Sequence, residues 1–358
     1  MAPENAMKTN IAIIGGGLAG LSLARHLHKA GLNFQLFEAR DRFGGRIKTH
    51  QLEDASYDLG PAWFWSGQSR METLTSDLGL TCFEQFAIGM QLYETETGDV
   101  IRDQGFASMQ GSWRVDGGMG KIIQAIADGL PKDCIHTQFK AETIDTESGI
   151  TFANGSTCKA QQIVFALPPR LIPDLTIEPP LDQAQSDTMR SISTWMAGHA
   201  KILALYEKPF WRTAGLSGDA SSRHGPMVEI HDASPNTPNS PAGLFGFLGV
   251  PAPHRRNNEY AILAAVQAQL IRLFGEEAAN PIELIYKDWA FDPHTANELD
   301  LAPLRHHPNY GLPNALKTLP NRNFHLCVTE VAPEMGGYLE GALAAAQTTA
   351  DTLINNDA

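Results

Sequence analysis

Cysteine is scarce in this 358-residue chain. Cys82, Cys134, Cys158 and Cys327 are scattered, with no Cys-x-x-Cys spacing, so neither a disulfide framework nor a zinc or redox motif is indicated. They read as reduced, mostly buried thiols of a cytoplasmic protein. Long apolar runs are also missing: none approaches the roughly 18 residues that a membrane-crossing helix needs. Residues 1–9 contain no apolar core of the kind a signal peptide carries. Basic residues are outnumbered, 27 Lys and Arg against 40 Asp and Glu. The net charge of −13 argues against a nucleic-acid or anionic-membrane surface, although it leaves room for a local basic pocket. No metal site is expected. His306 and His307 are adjacent, so their side chains diverge, and no acid or cysteine cluster accompanies them.

What is present is a hydrophobic content of 43% and 32 glycines, in a chain long enough for two domains and a large core. The most informative stretch is 10–46. Residues 10–14 are a short apolar strand ending in Gly15-Gly16-Gly17-Leu18-Ala19-Gly20. Residues 21–30 follow as a helix with Leu23, Ala24, Leu27 and Ala30 on one face, and 34–37 as a second strand ending in Glu38. Three spaced glycines alone could be an ordinary turn. With both strands and the acid in place they form a dinucleotide fingerprint. Gly15 permits the tight turn, Gly17 lets a pyrophosphate approach the backbone, and Gly20 lets the helix pack on the strand. The helix N-terminus offers free N–H groups to the phosphates. Glu38, 18 residues after Gly20, is placed to accept hydrogen bonds from an adenosine ribose.

The residues that follow choose the dinucleotide. Glu38-Ala39-Arg40-Asp41-Arg42-Phe43-Gly44-Gly45-Arg46 reads E-A-R-x-R-x-G-G-R, a pattern a nicotinamide site does not need. This stretch resembles the flavin-containing amine oxidase (monoamine oxidase-like) superfamily, which binds FAD. The resemblance implies an α/β protein: a Rossmann-like FAD-binding domain of the glutathione-reductase type, with a discontinuous α+β substrate domain. It lays Gly44, Gly45 and Arg46 along the pyrophosphate and flavin.

Further segments resemble the family in order. Asp58-Leu59-Gly60-Pro61-Ala62-Trp63-Phe64 corresponds to a segment beside the flavin ring, with Pro61 where glycine is more usual. Residues 66–115, with a short helix at 71–78 and a hairpin turning at Thr97-Gly98-Asp99, stand where the family has a much longer helical cap. Gly117-Gly118-Met119-Gly120 precedes an amphipathic helix at 121–130, and a meander at 134–167 ends in Ala166-Leu167-Pro168-Pro169, read as the final strand of the FAD sheet. The strand around Lys201, followed by Pro209-Phe210-Trp211, matches the family's lysine that reaches flavin N5 through a water. Residues 215–242, rich in Gly, Ser, Pro and Asn, read as loops, and a helix at 257–274 follows. At the end, a strand over 323–330 terminates in Glu330, and Gly336-Gly337-Tyr338-Leu339 opens the last helix. The resemblance turns Glu330 toward the ribityl and pyrophosphate, and the Gly337–Leu339 backbone toward the flavin O2 and N1. It makes Tyr338 one wall of an aromatic cage whose second wall is not identifiable from sequence.

The expected cofactor contacts are therefore Gly15, Gly17, Leu18, Ala19, Gly20, Glu38, Ala39, Arg40, Gly44, Gly45, Arg46, Gly60, Pro61, Ala62, Trp63, Ala141, Glu330, Gly337, Tyr338 and Leu339. Lys201 and Tyr338 are the expected catalytic residues. With no cysteine between Cys158 and Cys327, the FAD is expected to be non-covalent. The expected division is 1–66, 116–170 and 318–358 for FAD, and 67–115 and 171–317 for substrate. The implied activity is oxidation of a small amine by hydride transfer to flavin N5, with O2 as acceptor. Two alternatives stand beside it. One is a same-fold enzyme acting on a non-amine, as in desaturation, porphyrinogen-type or renalase-like oxidation. The other is a flavin-bound scaffold without turnover.

Overall fold

The computed structural model describes residues 6–105, 107–302, 304 and 306–357; most of the 1–9 segment read for a signal core lies outside this range or at its edge. Two large sheets carry the architecture. The first has eight strands, in the order Ile135–His136, Phe34–Phe37, Ala6–Ile14, Thr157–Phe165, Gly149–Phe152, Ala141–Asp145 and Thr176–Glu178, with Phe324–Leu326 also paired to Thr157–Phe165. Strand Ala6–Ile14 runs parallel to both of its neighbours, and its residues alternate between two cores. Ile11 and Ile13 pack under helices Leu18–Lys29, Gly120–Asp128 and Leu339–Asp357; Ala12 and Ile14 face Phe37, Phe152, Phe165 and Phe324. This is the buried parallel sheet that an apolar run of this kind favours. Thr157–Phe165 is central rather than final. Its nine residues pair along one edge with the first strand, and along the other with Gly149–Phe152 and then Phe324–Leu326.

The second sheet has seven strands: Glu283–Asp288, Ala200–Tyr206, Ala242–Leu248, Met227–Asp232, Leu216–Ser222, Met90–Glu94 and Val100–Arg102. Helix Glu259–Phe274 covers its rear face through Ile262, Val266 and Leu270, against Ile202, Ala204, Ile230 and Leu244. The front face meets the 55–63 segment, where Leu203, Leu205 and Phe245 pack on Ala55, Tyr57 and Leu59. The hairpin at 97–99 forms as expected, with Tyr93 opposite Ile101. Among its described residues the interval 66–115 holds only helix Ser69–Asp77 and short strands, so the cap is small.

Two further expectations are corrected. Residues 215–242 are loop only at 215, 223–226 and 233–241: Leu216–Ser222 and Met227–Asp232 are interior strands of the second sheet. Their polar side chains bond across strands, so burial does not require alternating hydrophobics, and the period-2 signal disappears. The segment 323–330 is not one strand. Pairing stops at Leu326, and Glu330 sits in a short 3₁₀ turn, Thr329–Val331.

Candidate functional site

The glycine turn has the shape that the sequence requires. Gly15 adopts φ +114°, and a Cβ there would come within 2.5 Å of Ala166 O. A Cβ on Gly20 would stand 2.0 Å from Gly15 O, so helix Leu18–Lys29 can approach the turn only without a side chain. Gly17 differs, because its nearest neighbours would be Gly45 Cα at 3.9 Å and Gly44 O at 4.0 Å. The space beside it is open, no side chain caps the helix, and no acid lies in its first turn. An uncapped helix N-terminus with a bare backbone approach fits a pyrophosphate. Leu18 and Ala19 are buried in this turn.

Glu38 is 3% exposed at the end of its strand, accepting from Gly16 N at 2.8 Å and Arg40 N at 2.9 Å. Ala39 lies between them, half-buried. Ala141 is buried at the start of strand Ala141–Asp145, two residues after Phe139, whose N donates to Glu38 O at 2.8 Å. The Arg40 guanidinium reaches Asp292 at 2.5 Å and Thr295 at 3.0 Å, which ties the acid's loop to the far side of the chain. Burial alone would raise the Asp292 carboxyl; Arg40 and Lys287 outweigh it and bring the pKa down to about 2. Burial lowers Arg42, with Arg40 adding to the effect, and burial followed by Lys287 and Arg42 lowers Lys48. Like charges are thus crowded near a turn built for an anion.

The second glycine pair docks on the first turn. Gly44 N donates to Gly16 O at 2.8 Å, Gly44 and Gly45 both have positive φ, and Arg42 pins the loop through the carbonyls of Phe43, Gly45 and Ile47. Arg46 reaches across 284 residues of sequence to Glu330, at 2.6 and 3.2 Å. Glu330 is fully buried, whereas the Arg46 side chain keeps 30% exposure. Desolvation opposes the Arg46 charge, and Glu330 overcomes this and raises its pKa.

Asp58 accepts from Met119 N at 3.0 Å and from the Thr49 hydroxyl at 2.6 Å, anchoring the start of helix Gly120–Asp128. It thereby fixes the chain entering Gly60, where a Cβ would lie 2.0 Å from Arg46 O. Ala62 is buried after it, while Pro61 and Trp63 are half-buried. Lys201 projects from the front of the second sheet to this segment. Its Nζ donates to Gly60 O at 2.5 Å and lies 4.5, 5.1 and 5.5 Å from the ring centres of Phe245, Phe247 and Trp63. It is 5% exposed. Burial lowers its pKa to about 8, with Asp58 pulling the other way. Such a lysine can hold and exchange a proton near neutrality.

Tyr338 and Leu339 stand half-exposed at the start of the last helix, after Gly337 at φ +83°. Tyr338 stacks on His307, with ring centres 5.0 Å apart and planes 12° from parallel. Trp195 and Tyr310 meet His307 edge-on at 4.8 and 5.5 Å. A Cβ on Gly337 would be 2.9 Å from His307 Nε2, a buried atom with no hydrogen-bond partner among the described residues. Sequence reasoning missed His307. It was weighed only as a metal ligand, and nothing local indicates which aromatic it meets. Among the described residues no metal-binding group of side chains occurs, and no helix is long and apolar enough to cross a membrane.

The family profile described as "Flavin containing amine oxidoreductase" matches residues 18–93 and 86–354. A putrescine oxidase from Kocuria rosea is 23% identical, aligned over 96% of this chain and 94% of its own. That alignment runs over 468 residues against a chain of 358, so the relative carries segments this chain lacks. A probable flavin-containing monoamine oxidase A from Dictyostelium discoideum is 22% identical, over 93% of this chain and 95% of its own. Among solved structures, putrescine oxidase bound to putrescine superposes with a TM-score of 0.81 at 21% identity, covering 98% of this chain and 100% of that one. Cyclohexylamine oxidase from Brevibacterium oxydans IH-35A gives 0.78 at 20%, covering 97% and 99%. At these identities the structural likeness speaks for the fold, and the profile running from residue 18 to residue 354 speaks for the ancestry: the chain belongs to the flavin-containing amine oxidoreductase family, whose FAD-dependent enzymes share its α/β architecture.

Proposed function

We propose that this chain oxidises small amines, using a non-covalently held FAD between its two large sheets. The observation that carries the reading is Lys201: a buried amine, boxed by three aromatic rings and bonded to the carbonyl of a glycine that admits no side chain. In this reading the turn at Gly15, Gly17 and Gly20 cradles the pyrophosphate with Leu18 and Ala19, and Glu38 takes the ribose, with Ala39, Arg40 and Ala141 around the adenosine end. Gly44, Gly45, Arg46 and Glu330 line the middle of the cofactor. Gly60, Pro61, Ala62, Trp63, Gly337, Tyr338 and Leu339 frame the ring. When bound, FAD accepts hydride from the carbon next to nitrogen and passes the electrons to O2. Lys201 holds a water and moves a proton beside that exchange. Tyr338 and His307 form the wall that orients the amine. The two large sheets support a cofactor domain of 1–66, 116–170 and 318–358, with Thr176–Glu178 added, and a substrate domain of 67–115 and 171–317, and a small sheet of Phe64–Trp65, Ser112–Val115 and Cys82–Glu84 joins the two. Four free thiols suit the cytoplasm.

Anaerobic mixing tests the reading. A panel of alkyl and aryl amines is expected to bleach the bound flavin, and NADH and NADPH are not. Bleaching by the nicotinamides alone would replace amine oxidation with another reaction. A pair of glycine variants separates cofactor binding from folding. Gly17→Ala is expected to keep the wild-type unfolding free energy while weakening FAD binding about ten- to hundredfold. Gly20→Ala is expected to cost about 2–4 kcal/mol in urea unfolding of the apoprotein, because its Cβ would overlap Gly15 O.

A further inference from the structure

The small sheet that joins the two domains holds a buried polar residue, Gln85, that the amine chemistry above does not use. Trp63 enters this sheet just ahead of strand Phe64–Trp65, and Gln85 leaves it just after strand Cys82–Glu84, with Gln85 N donating to Ser112 O at 2.9 Å. Phe64 and Glu84 both stand opposite Trp113 of the middle strand. Their neighbours Trp63 and Gln85 therefore share the other face of the sheet. That face meets the second large sheet where strand Met227–Asp232 ends. Gln85 Nε2 donates to Asp232 O at 2.8 Å, and the Arg114 guanidinium takes the next two carbonyls, Ala233 O at 2.9 Å and Ser234 O at 2.7 Å. Three successive carbonyls of the substrate domain are thus held from the small sheet.

Gln85 is 5% exposed, and its amide fits in one orientation only. Nε2 carries two N–H donors, one for Asp232 O and one for Phe86 O at 3.0 Å. Oε1 faces the third partner and accepts from the Trp63 indole Nε1 at 2.8 Å. Turning the amide over would set its oxygen against two carbonyls and its N–H groups against the indole N–H. The single donor of the indole is thereby tied to a buried group that is itself tied to the backbone of the second sheet. Trp63 is half-buried: Phe245 lies against it at 5.0 Å, His231 meets it edge-on at 5.3 Å, and the Lys201 ammonium stands 5.5 Å from its ring. Contact with Phe245 and His231 holds a ring in this place. The hydrogen bond adds direction, because it selects one rotamer and so fixes where the exposed part of the indole stands beside Lys201.

We propose that Gln85 is a positioning residue: it latches the Trp63 indole as a fixed side wall of the amine cleft, and so limits the width of the amine that reaches the flavin. The assignment rests on the amine reading above. The wall cannot swing aside for a branched or cyclic substrate without leaving the indole N–H and Gln85 Oε1 unpaired at a buried site. That cost falls on the wide amine alone. Slim, unbranched amines pass without moving the wall.

Two measurements on the holoenzyme test the latch and the wall separately. In protein carrying isotope-labelled tryptophan, the six indole groups give separate N–H signals by NMR, and the Trp63 signal is the one missing from Trp63→Phe. Its exchange in heavy water is expected to be about tenfold faster in Gln85→Leu than in the wild type. In Gln85→Glu it should stay slow, since a protonated carboxyl can still accept from the indole and donate to Asp232 O. An unchanged exchange rate in Gln85→Leu would overturn the latch. For the wall, n-hexylamine and cyclohexylamine are equal in carbon number and differ in width. The kcat/KM ratio of the linear to the cyclic amine is expected to lie well above one in the wild type and to fall about tenfold in Gln85→Leu, the worth of one buried hydrogen bond. A similar fall is expected in Trp63→Phe, with no further fall in the double variant, because both changes cut the same bond. A wild-type ratio at or below one would overturn the wall, as would a ratio unchanged in Gln85→Leu or falls that multiply in the double variant. FAD content and near-UV spectrum check the fold; should Gln85→Leu fail to fold, Trp63→Phe against Gln85→Glu carries the same contrast in the ratio. Bleaching by neither amine, nor by any other in the panel, would remove the amine reading and the wall, while the exchange rates still decide the latch.

Discussion

The Lys201→Met holoenzyme is expected to be yellow and almost inert. Methionine fills much of the lysine's space among Phe245, Phe247 and Trp63 but can neither bond Gly60 O nor hold a water. Stopped-flow measurement should show flavin reduction or reoxidation slowed by about two to three orders of magnitude, the usual loss when a positioned proton carrier is removed. Wild-type rates in both half-reactions would sink the role. The same substitution should stabilise the apoprotein. The fall in the lysine pKa from 10.5 to about 8 means that folding works against the ammonium form by roughly 3 kcal/mol. The folded chain binds this proton less tightly than the unfolded one, so the full penalty applies below pH 8 and fades as pH rises toward 10.5. The variant's higher melting temperature at pH 7 should accordingly shrink across that window. A functional residue kept at a cost in stability is the expected trade-off.

Glu330→Ala is expected to have the second largest effect, and to act on folding and cofactor together. It leaves Arg46 facing a buried site with no counter-charge. Breaking such a pair costs about 3–5 kcal/mol when both members are buried; the 30% exposure of Arg46 puts the expectation at about 2–4 kcal/mol. FAD should be lost on gel filtration. The double variant Arg46→Met, Glu330→Met separates the two effects, since replacing both partners with apolar groups restores most of the stability. It should melt close to the wild-type apoprotein and still bind no FAD. Recovery of FAD binding in the double variant would show the pair to be a structural tie alone.

The parts of the site legible in the sequence are those in which one segment does its work through its own backbone. Gly15, Gly17 and Gly20 announce themselves because the turn needs positive φ or close approach at fixed spacing, and the strands on either side are apolar enough to read. The hairpin at 97–99 was legible for the same local reason. The strands Leu216–Ser222 and Met227–Asp232 were not. Asp219 and His231 look like loop residues until each is seen to be the other's partner across a strand pair.

The chain's order of residues by itself determined a dinucleotide turn, a parallel sheet around it, a flavin rather than a nicotinamide, and a lysine on an apolar strand. These depend on spacings of a few residues. Only the tertiary structure decided that Arg46 closes on Glu330, that His307 lies against Tyr338, and that Lys201 is boxed by Trp63, Phe245 and Phe247. Each of these joins segments that are distant in the chain, and the energy of a charge or a ring depends on what surrounds it after burial, which no local pattern records.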